Sequence, residues 1–183
     1  MSNLFSVVKL KENAQTPSLA TDLSMAYDLR ACLTDGDTLV SYTDNAKQQN
    51  VIVKSMPEFE GKVGFYIEPN ARVLIPTGLR FVIDENYGVA VVPRSGLSVK
   101  NGLTLINCTG IIDADYKDEV FITLTNTTRQ RQFIAHGERL CQSFLVKREC
   151  TAKELPCITE EEANKQPTKP TQRRGGFGST GKD

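Results

Sequence analysis

Apolar residues alternate with polar ones in many short runs along this chain, and turns rich in glycine, proline, aspartate and asparagine separate the runs. Alternation with a period of two is typical of β-strands, and no apolar segment keeps a helical period beyond a few turns. The pattern therefore predicts an all-β domain, either a sandwich or a barrel. Strands are expected at 6–10, 27–33, 73–75, 79–83, 88–92, 103–106, 120–124 and 139–147.

A polar elbow lies between the apolar runs 103–106 and 120–124. The runs predict a β-hairpin that carries Asp113 and Tyr116 near its tip, with Asn107 and Gly110 supplying turn chemistry. Backbone groups beside an asparagine can pair with the edge of a flat base, and an aspartate on a rigid element is a candidate general base. Aspartate-rich turns also occur for purely structural reasons, so the elbow alone leaves the function open.

A second polar segment follows the strand predicted at 88–92 and begins with Arg94, Ser95 and Gly96. These residues open one or two helical turns, where free N–H groups and the positive end of the helix dipole can bind an anion. Gly96 allows close backbone approach, and Arg94 adds a fixed charge. The segment is a candidate phosphate site, and a helix cap beside a surface arginine is the alternative.

Five segments occur in a fixed order: AYDLRA at 26–31, PRSGLS at 93–98, GIIDADY at 110–116, GERLCQ at 137–142 and GGFGSTG at 175–181. Together they resemble the five motifs of the trimeric dUTPase family, from about residue 25 to residue 181. The resemblance implies a jelly-roll fold, hydrolysis of dUTP to dUMP and pyrophosphate, and a homotrimer with active sites shared between subunits. A dCTP deaminase of the same fold and a dUTPase-like regulator that binds a protein are the alternatives.

The resemblance also implies roles for individual residues. Asp113 activates the water that attacks the α-phosphorus, Asn107 and backbone groups at Gly110 contact uracil, and Tyr116 packs on the deoxyribose. Mg²⁺ arrives on the triphosphate, and Asp28 reaches it through water, although Asp28 can also be a simple strand-end residue. The phosphates are bound by Arg94, Ser95, Gly96 and Gln142.

The C-terminal motif has four glycines within residues 175–181, too many for the segment to order without a partner. Its aromatic ring and hydroxyls can stack on a base and cap phosphates. The resemblance implies a flexible tail that closes as a lid, and a tail without a binding role is the alternative. The family's usual arginine position is Gln172 here, and we assign its role to Arg174 rather than Arg173. The expected lid contacts are Phe177, Gly178, Ser179 and Thr180.

The segment 34–70 departs most from the family pattern. We interpret it as a surface insertion with an extra hairpin, which is either a solvated decoration or a surface for a protein partner. The domain prediction is a β domain at 1–158, followed by a linker and lid motif at 159–183.

The amino-acid composition of the chain limits the kinds of partner that we expect it to bind. The 22 basic side chains balance the 22 acidic ones, so no general nucleic-acid or membrane surface is expected. The five cysteines form no CxxC pair and predict reduced thiols. The N-terminus shows no apolar signal-peptide core, so we expect a cytoplasmic protein.

Overall fold

The computed structural model describes residues 4–150 and 154–165 of the chain. Within them, α1 (Ser95–Asn101) and α2 (Glu160–Asn164) are short, and strands dominate. The all-β prediction is confirmed. The strands are β1 (Phe5–Lys9), β2 (Ser18–Leu19), β3 (Tyr27–Arg30), β4 (Thr38–Tyr42), β5 (Gln48–Ile52), β6 (Lys54–Met56), β7 (Lys62–Ile67), β8 (Arg72–Pro76), β9 (Leu79–Ile83), β10 (Tyr87–Pro93), β11 (Leu103–Leu105), β12 (Gly110–Ile112), β13 (Phe121–Asn126), β14 (Gln132–Ala135) and β15 (Arg139–Lys147).

Two five-stranded antiparallel sheets form the body of the domain, in the orders β12-β10-β15-β3-β2 and β11-β13-β8-β4-β5. A three-stranded sheet, β14-β7-β6, and the pair β1-β9 complete the arrangement. Neighbours in the sheets are mostly distant in sequence, as β10 with β15 and β13 with β8 show. This order of long connections between antiparallel strands is jelly-roll-like.

One buried apolar cluster joins the sheets. Leu29 on β3 and Val89 on β10 enter it from one sheet, and Ile75 on β8 and Leu124 on β13 enter it from the other. The strands alternate inward apolar residues with outward polar ones because successive side chains point to opposite faces. Burial of these side chains provides the main driving force for the fold.

The segment 34–70 is not a surface insertion as a whole, so this part of the sequence interpretation is wrong. Its strand β4 pairs with β8 inside a main sheet, and Val53, Phe65 and Ile67 are fully buried. The expected extra hairpin is present as β4-β5, whose turn near 43–47 is exposed for most of its length. The apolar residues here come in runs of at most three between polar tracts, so the sequence did not reveal their place in the core.

The chain divides into two compact units, Met1–Glu149 and Cys150–Asp183. The first contains all fifteen strands described above. In the second, α2 begins with a capping box, in which the Thr159 hydroxyl accepts the Glu162 N–H while the Glu162 carboxylate accepts the Thr159 N–H. The predicted linker and lid at 159–183 fall within this second unit, and residues 166–183 lie outside the described part of the chain.

Helices in the described residues are too short and too polar to cross a lipid bilayer.

Candidate active site

The first part of the site lies where β10 runs into α1. Arg94 precedes the helix with extended backbone angles, and no side chain caps the first turn. Ser95 and Gly96 are exposed, and a methyl group placed on Gly96 would meet nothing within 4 Å. The backbone N–H groups of this turn are therefore open to a ligand, as the sequence predicts for a phosphate site.

Asp28 on β3 is the buried centre of an ion cluster, with only 3% of its surface exposed. Arg139 donates from Nη1 to Asp28 Oδ2 at 3.0 Å, and Arg94 Nε lies 3.5 Å from Asp28 Oδ1. Arg94 also donates from Nη1 to the Arg139 carbonyl at 3.0 Å. A buried carboxylate needs such partners because desolvation otherwise disfavours its charge. This Asp28 cluster, consisting of Asp28, Arg94 and Arg139, holds the start of α1 against β15.

The strand register places Gln142 next to the Asp28 cluster. Gln142 lies opposite Asp28 on β3 and opposite Val92 on β10. Residues directly opposite one another in an antiparallel pair project from the same face of the sheet. Asp28, Gln142 and Arg94, two residues beyond Val92, therefore share one face and one end of the sheet.

Desolvation shifts the pKa of two groups beside this sheet end, the buried Cys141 and the half-buried Glu138. Burial raises the pKa of the Cys141 thiol, and the neighbouring Asp28 charge acts in the same direction. Burial also raises the pKa of Glu138, against the opposing effects of the Ala135 N–H and the Arg94 charge. Cys141 is therefore a neutral packing residue and not a nucleophile.

The second part of the site is the polar elbow, and its form differs from the simple hairpin of the sequence prediction. The predicted pairing is confirmed, since Leu105 on β11 lies opposite Leu124 on β13. Between these strands, however, β12 crosses to the other main sheet and pairs with β10, with Gly110 opposite Val91. Only three residues make this strand, too few for alternation to reveal it. The elbow thus bridges the two sheets.

Two shallow clefts open on the elbow and have common walls. A cleft of 150 Å³ contains Asn107 and Gly110, and a cleft of 190 Å³ contains Asp113 and Tyr116. The residues that line both are Ile111, Ile112 and Phe121. We refer to them together as the elbow clefts. A flat ring in the first cleft would place an attached group at the second.

Asp113 and Tyr116 are exposed, as expected for groups that contact a ligand. Within the described residues, no hydrogen bond or ion pair involves the Asp113 carboxylate. Tyr116 donates its hydroxyl proton to the Glu119 carbonyl at 2.9 Å, and its N–H to the Asp113 carbonyl at 3.2 Å. The carboxylate can therefore bind water, while the tyrosine ring has a fixed attachment.

The structure brings the predicted residues together in two groups and not in one. Asp28, Arg94, Ser95, Gly96 and Gln142 gather at the sheet end, and the other group occupies the elbow clefts. In the described part of the chain, no hydrogen bond or ion pair joins the Asp28 cluster to Asp113. The groups are connected through β10, which pairs with β12 and ends beside Arg94. The predicted lid residues Arg174, Phe177, Gly178, Ser179 and Thr180 lie outside the described residues.

Sequence reasoning missed the apolar walls of the elbow clefts and the support beneath Tyr116. Ile111 and Phe121 are 66% and 47% exposed, so a strand pattern that places apolar residues inward does not single them out. Glu119 accepts the Gly78 N–H at 2.7 Å across 41 positions of sequence. No local pattern could have shown a contact at that separation.

Comparison with known proteins agrees with the geometry. The family model described as dUTPase matches residues 62–181. A deoxyuridine 5'-triphosphate nucleotidohydrolase of Finegoldia magna is 41% identical over 116 residues, 63% of this chain and 75% of that protein. The protein of the same name from Bartonella henselae is 30% identical over 174 residues, 94% of this chain and 79% of its own length.

Solved structures support the fold. The dUTPase of Streptococcus mutans superposes with a TM-score of 0.58 at 23% identity, over 82% of this chain and 99% of that one. A variant of the staphylococcal bacteriophage 80alpha dUTPase with dUpNHpp gives a TM-score of 0.65 at 21% identity, over 98% and 99% of the two chains. The jelly-roll-like fold is confirmed by these likenesses. Since the family model covers well over half of the sequence, this chain belongs to the dUTPase family.

Proposed function

We propose that this chain hydrolyses dUTP to dUMP and pyrophosphate. The proposal rests on the common walls of the elbow clefts, because the cleft that contains Asn107 adjoins the cleft that contains Asp113. A base bound at Asn107 puts its sugar at Tyr116 and its α-phosphate near Asp113. The relatives from Finegoldia magna and Bartonella henselae are deoxyuridine 5'-triphosphate nucleotidohydrolases, which supports the same substrate and reaction.

Recognition of uracil rests on Asn107 and on backbone groups near Gly110. Uracil offers an N–H donor between two carbonyl acceptors, and an amide beside free backbone groups can match that edge. Cytosine presents a different order of donors and acceptors, so its binding would leave polar groups of the base and of the site covered and without partners. This mismatch gives the preference for dUTP over dCTP.

Asp113 is the general base of the proposed reaction. Its exposed carboxylate accepts a proton from a water molecule, and that water attacks the α-phosphorus. The Tyr116 ring lies in the same cleft and packs on the deoxyribose, which leaves no room for a 2'-hydroxyl. The leaving group is pyrophosphate.

The sheet end binds the phosphates. Ser95 and Gly96 offer N–H groups and a hydroxyl, and Gln142 offers an amide, all of which donate to phosphate oxygens. Arg94 has a supporting role, since the Asp28 cluster already engages its guanidinium. The tail residues Arg174, Phe177, Gly178, Ser179 and Thr180 close over the nucleotide, and truncation after Arg173 should lower kcat.

Mg²⁺ fits the residues present. In the described part of the chain, no three His, Cys, Asp or Glu side chains lie close enough to hold a metal, so the ion would be held mainly by the triphosphate. Asp28 Oδ1 is buried without a hydrogen-bond partner, and it can accept from a water of the ion's shell. When bound, Mg²⁺ would neutralise charge on the phosphate oxygens.

The assembly we propose is a homotrimer with shared sites. Its support is the family resemblance, together with the separation of the two groups of site residues within one subunit. Ile106 is 46% exposed and lines neither elbow cleft, so it offers apolar area for a neighbouring subunit. Light scattering would measure the oligomeric state. A protein that is monomeric in solution and still hydrolyses dUTP would contradict a site shared between subunits.

Cytoplasmic location and the absence of nucleic-acid and membrane partners stay predictions. A protein partner for the segment 34–70 also stays a prediction, and such a partner would meet the exposed β4-β5 turn. The dCTP deaminase alternative is not favoured, because the curated relatives that match are nucleotidohydrolases.

Incubation of the pure protein with dUTP and Mg²⁺, followed by a pyrophosphate assay, tests the proposal. We expect stoichiometric dUMP and pyrophosphate, with much lower kcat/KM for dCTP, dTTP and UTP. Ammonia release from dCTP would instead indicate a deaminase. Absence of pyrophosphate with every deoxynucleotide would overturn the proposed activity.

A further inference from the structure

We propose that Glu119 is a positioning residue that fixes the Tyr116 ring and thereby sets discrimination against ribonucleotides. The inference rests on the proposed function, since it concerns how the same site rejects UTP. Its basis is a pair of hydrogen bonds made by one residue. The Glu119 carbonyl accepts the Tyr116 hydroxyl at 2.9 Å, and Glu119 Oε1 accepts the Gly78 N–H at 2.7 Å.

Glu119 binds the turn at residues 77–78, which joins β8 to β9. Other hydrogen bonds also fix this turn. Thr77 donates its hydroxyl to the Val120 carbonyl at 2.7 Å, and the Gly78 carbonyl accepts the Leu10 N–H at 2.8 Å. Thr77 is 1% exposed. The segment 119–120 is therefore fastened to a buried turn by both backbone and side-chain bonds.

Close packing prevents this turn from shifting. Gly78 adopts a positive φ of +67°, and a Cβ there would lie 2.7 Å from both Ala14 Cβ and Cys32 Sγ. Movement of Gly78 toward this side would meet Ala14 in the N-terminal loop or Cys32, which follows β3. The hydrogen bond from Gly78 to Glu119 therefore ties Glu119 to the packed core of the domain.

The position of Tyr116 needs such an anchor because the residue is 39% exposed and lines a shallow cleft. Packing alone does not fix a half-exposed ring. A hydrogen bond from its hydroxyl to a carbonyl that cannot move does fix it. Discrimination against a single hydroxyl requires a wall that cannot yield by about 1 Å. Glu119 supplies this rigidity through its side chain, although that side chain is not assigned to any substrate contact.

The test compares the ratio of kcat/KM for UTP to that for dUTP in the full-length protein. Glu119→Ala removes the Gly78 bond, and we expect the ratio to rise about tenfold, the equivalent of one net hydrogen bond. Glu119→Gln keeps an acceptor at Oε1 and should restore a ratio within about twofold of the wild type. Tyr116→Phe removes only the hydroxyl and should raise the ratio in the same direction.

Val53→Ala is the control for loss of stability. Val53 is fully buried in the 34–70 segment and has no part in the elbow clefts, so its variant should melt at a lower temperature with an unchanged ratio. A wild-type ratio in Glu119→Ala, or a Gln variant shifted as far as the Ala variant, would overturn the inference. If Glu119→Ala fails to fold, a wild-type ratio in Tyr116→Phe would overturn it. Failure of the wild type to hydrolyse dUTP would overturn the proposed function instead.

Discussion

Two aspartates of the site lie in opposite surroundings. Asp28 is 3% exposed and lies between two arginines, whereas Asp113 is exposed and its carboxylate has no partner within the described residues. A buried carboxylate between two arginines has a fixed orientation, so it can shape a site. An open carboxylate beside a cleft can bind and deprotonate water. Asp28 therefore has the surroundings of a group that builds the site, and Asp113 has those of the general base that we propose.

The largest expected effect is on catalysis at the exposed aspartate. Asp113→Asn keeps the size of the side chain and removes the base, so we expect kcat to fall by about 10²–10⁴ while dUMP binding and the melting temperature change little. Steady-state kinetics and a thermal melt measure both. The neighbouring Asp115 is also exposed, and Asp115→Asn should keep wild-type kcat. An Asp113→Asn enzyme with more than about a tenth of wild-type kcat would remove the base assignment.

The same contrast between buried and exposed positions divides the segment 34–70. Phe65 is fully buried, so Phe65→Ala should lower the free energy of unfolding by about 3–5 kcal/mol. Asn45 lies exposed in the β4-β5 turn, and Asn45→Ala should change that free energy by less than about 0.5 kcal/mol. Urea unfolding measures both. Equal effects at the two positions would restore the interpretation as a surface insertion.

The buried aspartate should act on stability. Asp28→Asn removes the charge between Arg94 and Arg139, and we expect about 2 kcal/mol of lost stability, since both arginines keep contact with water. Asp22→Asn, at an exposed position, is the matched control and should leave the unfolding midpoint in place. A stable Asp28→Asn protein with full activity would show that the Asp28 cluster neither holds the fold nor serves the phosphates.

The smallest effects concern the thiols. Burial raises the pKa of Cys32 and Cys141, so both should resist a thiol reagent up to mildly alkaline pH, because the thiolate is the reactive form. The exposed Cys108, Cys150 and Cys157 should react at once. The absorbance change on reaction with a chromogenic disulfide counts the fast and the slow thiols. After addition of denaturant, Cys32 and Cys141 should react as fast as the other three. Fast modification of all five would mean that the sheet end beside Asp28 is open.

Local patterns predicted the parts of this molecule that depend on neighbouring residues. The alternation of polar and apolar residues predicted strands at the positions of β10, β13 and β15, and the turn chemistry predicted a polar elbow that carries Asp113. Local patterns did not predict contacts between residues distant in sequence. The pairing of Asp28 with Arg139 and of Glu119 with Gly78 depends on which strands become neighbours. The pairing of β12 with β10 was not predicted because β12 has only three residues, and the burial of Phe65 was not predicted because the apolar runs around it are short.

The position of water attack tests the central claim most directly. If Asp113 activates a water that attacks the α-phosphorus, a single turnover of dUTP in oxygen-18 water should place the heavy oxygen in dUMP and leave pyrophosphate unlabelled. Mass spectrometry of the two products measures the label. Heavy oxygen in pyrophosphate would mean attack at the β-phosphorus, and it would contradict the arrangement of Asp113 beside a bound nucleotide's α-phosphate.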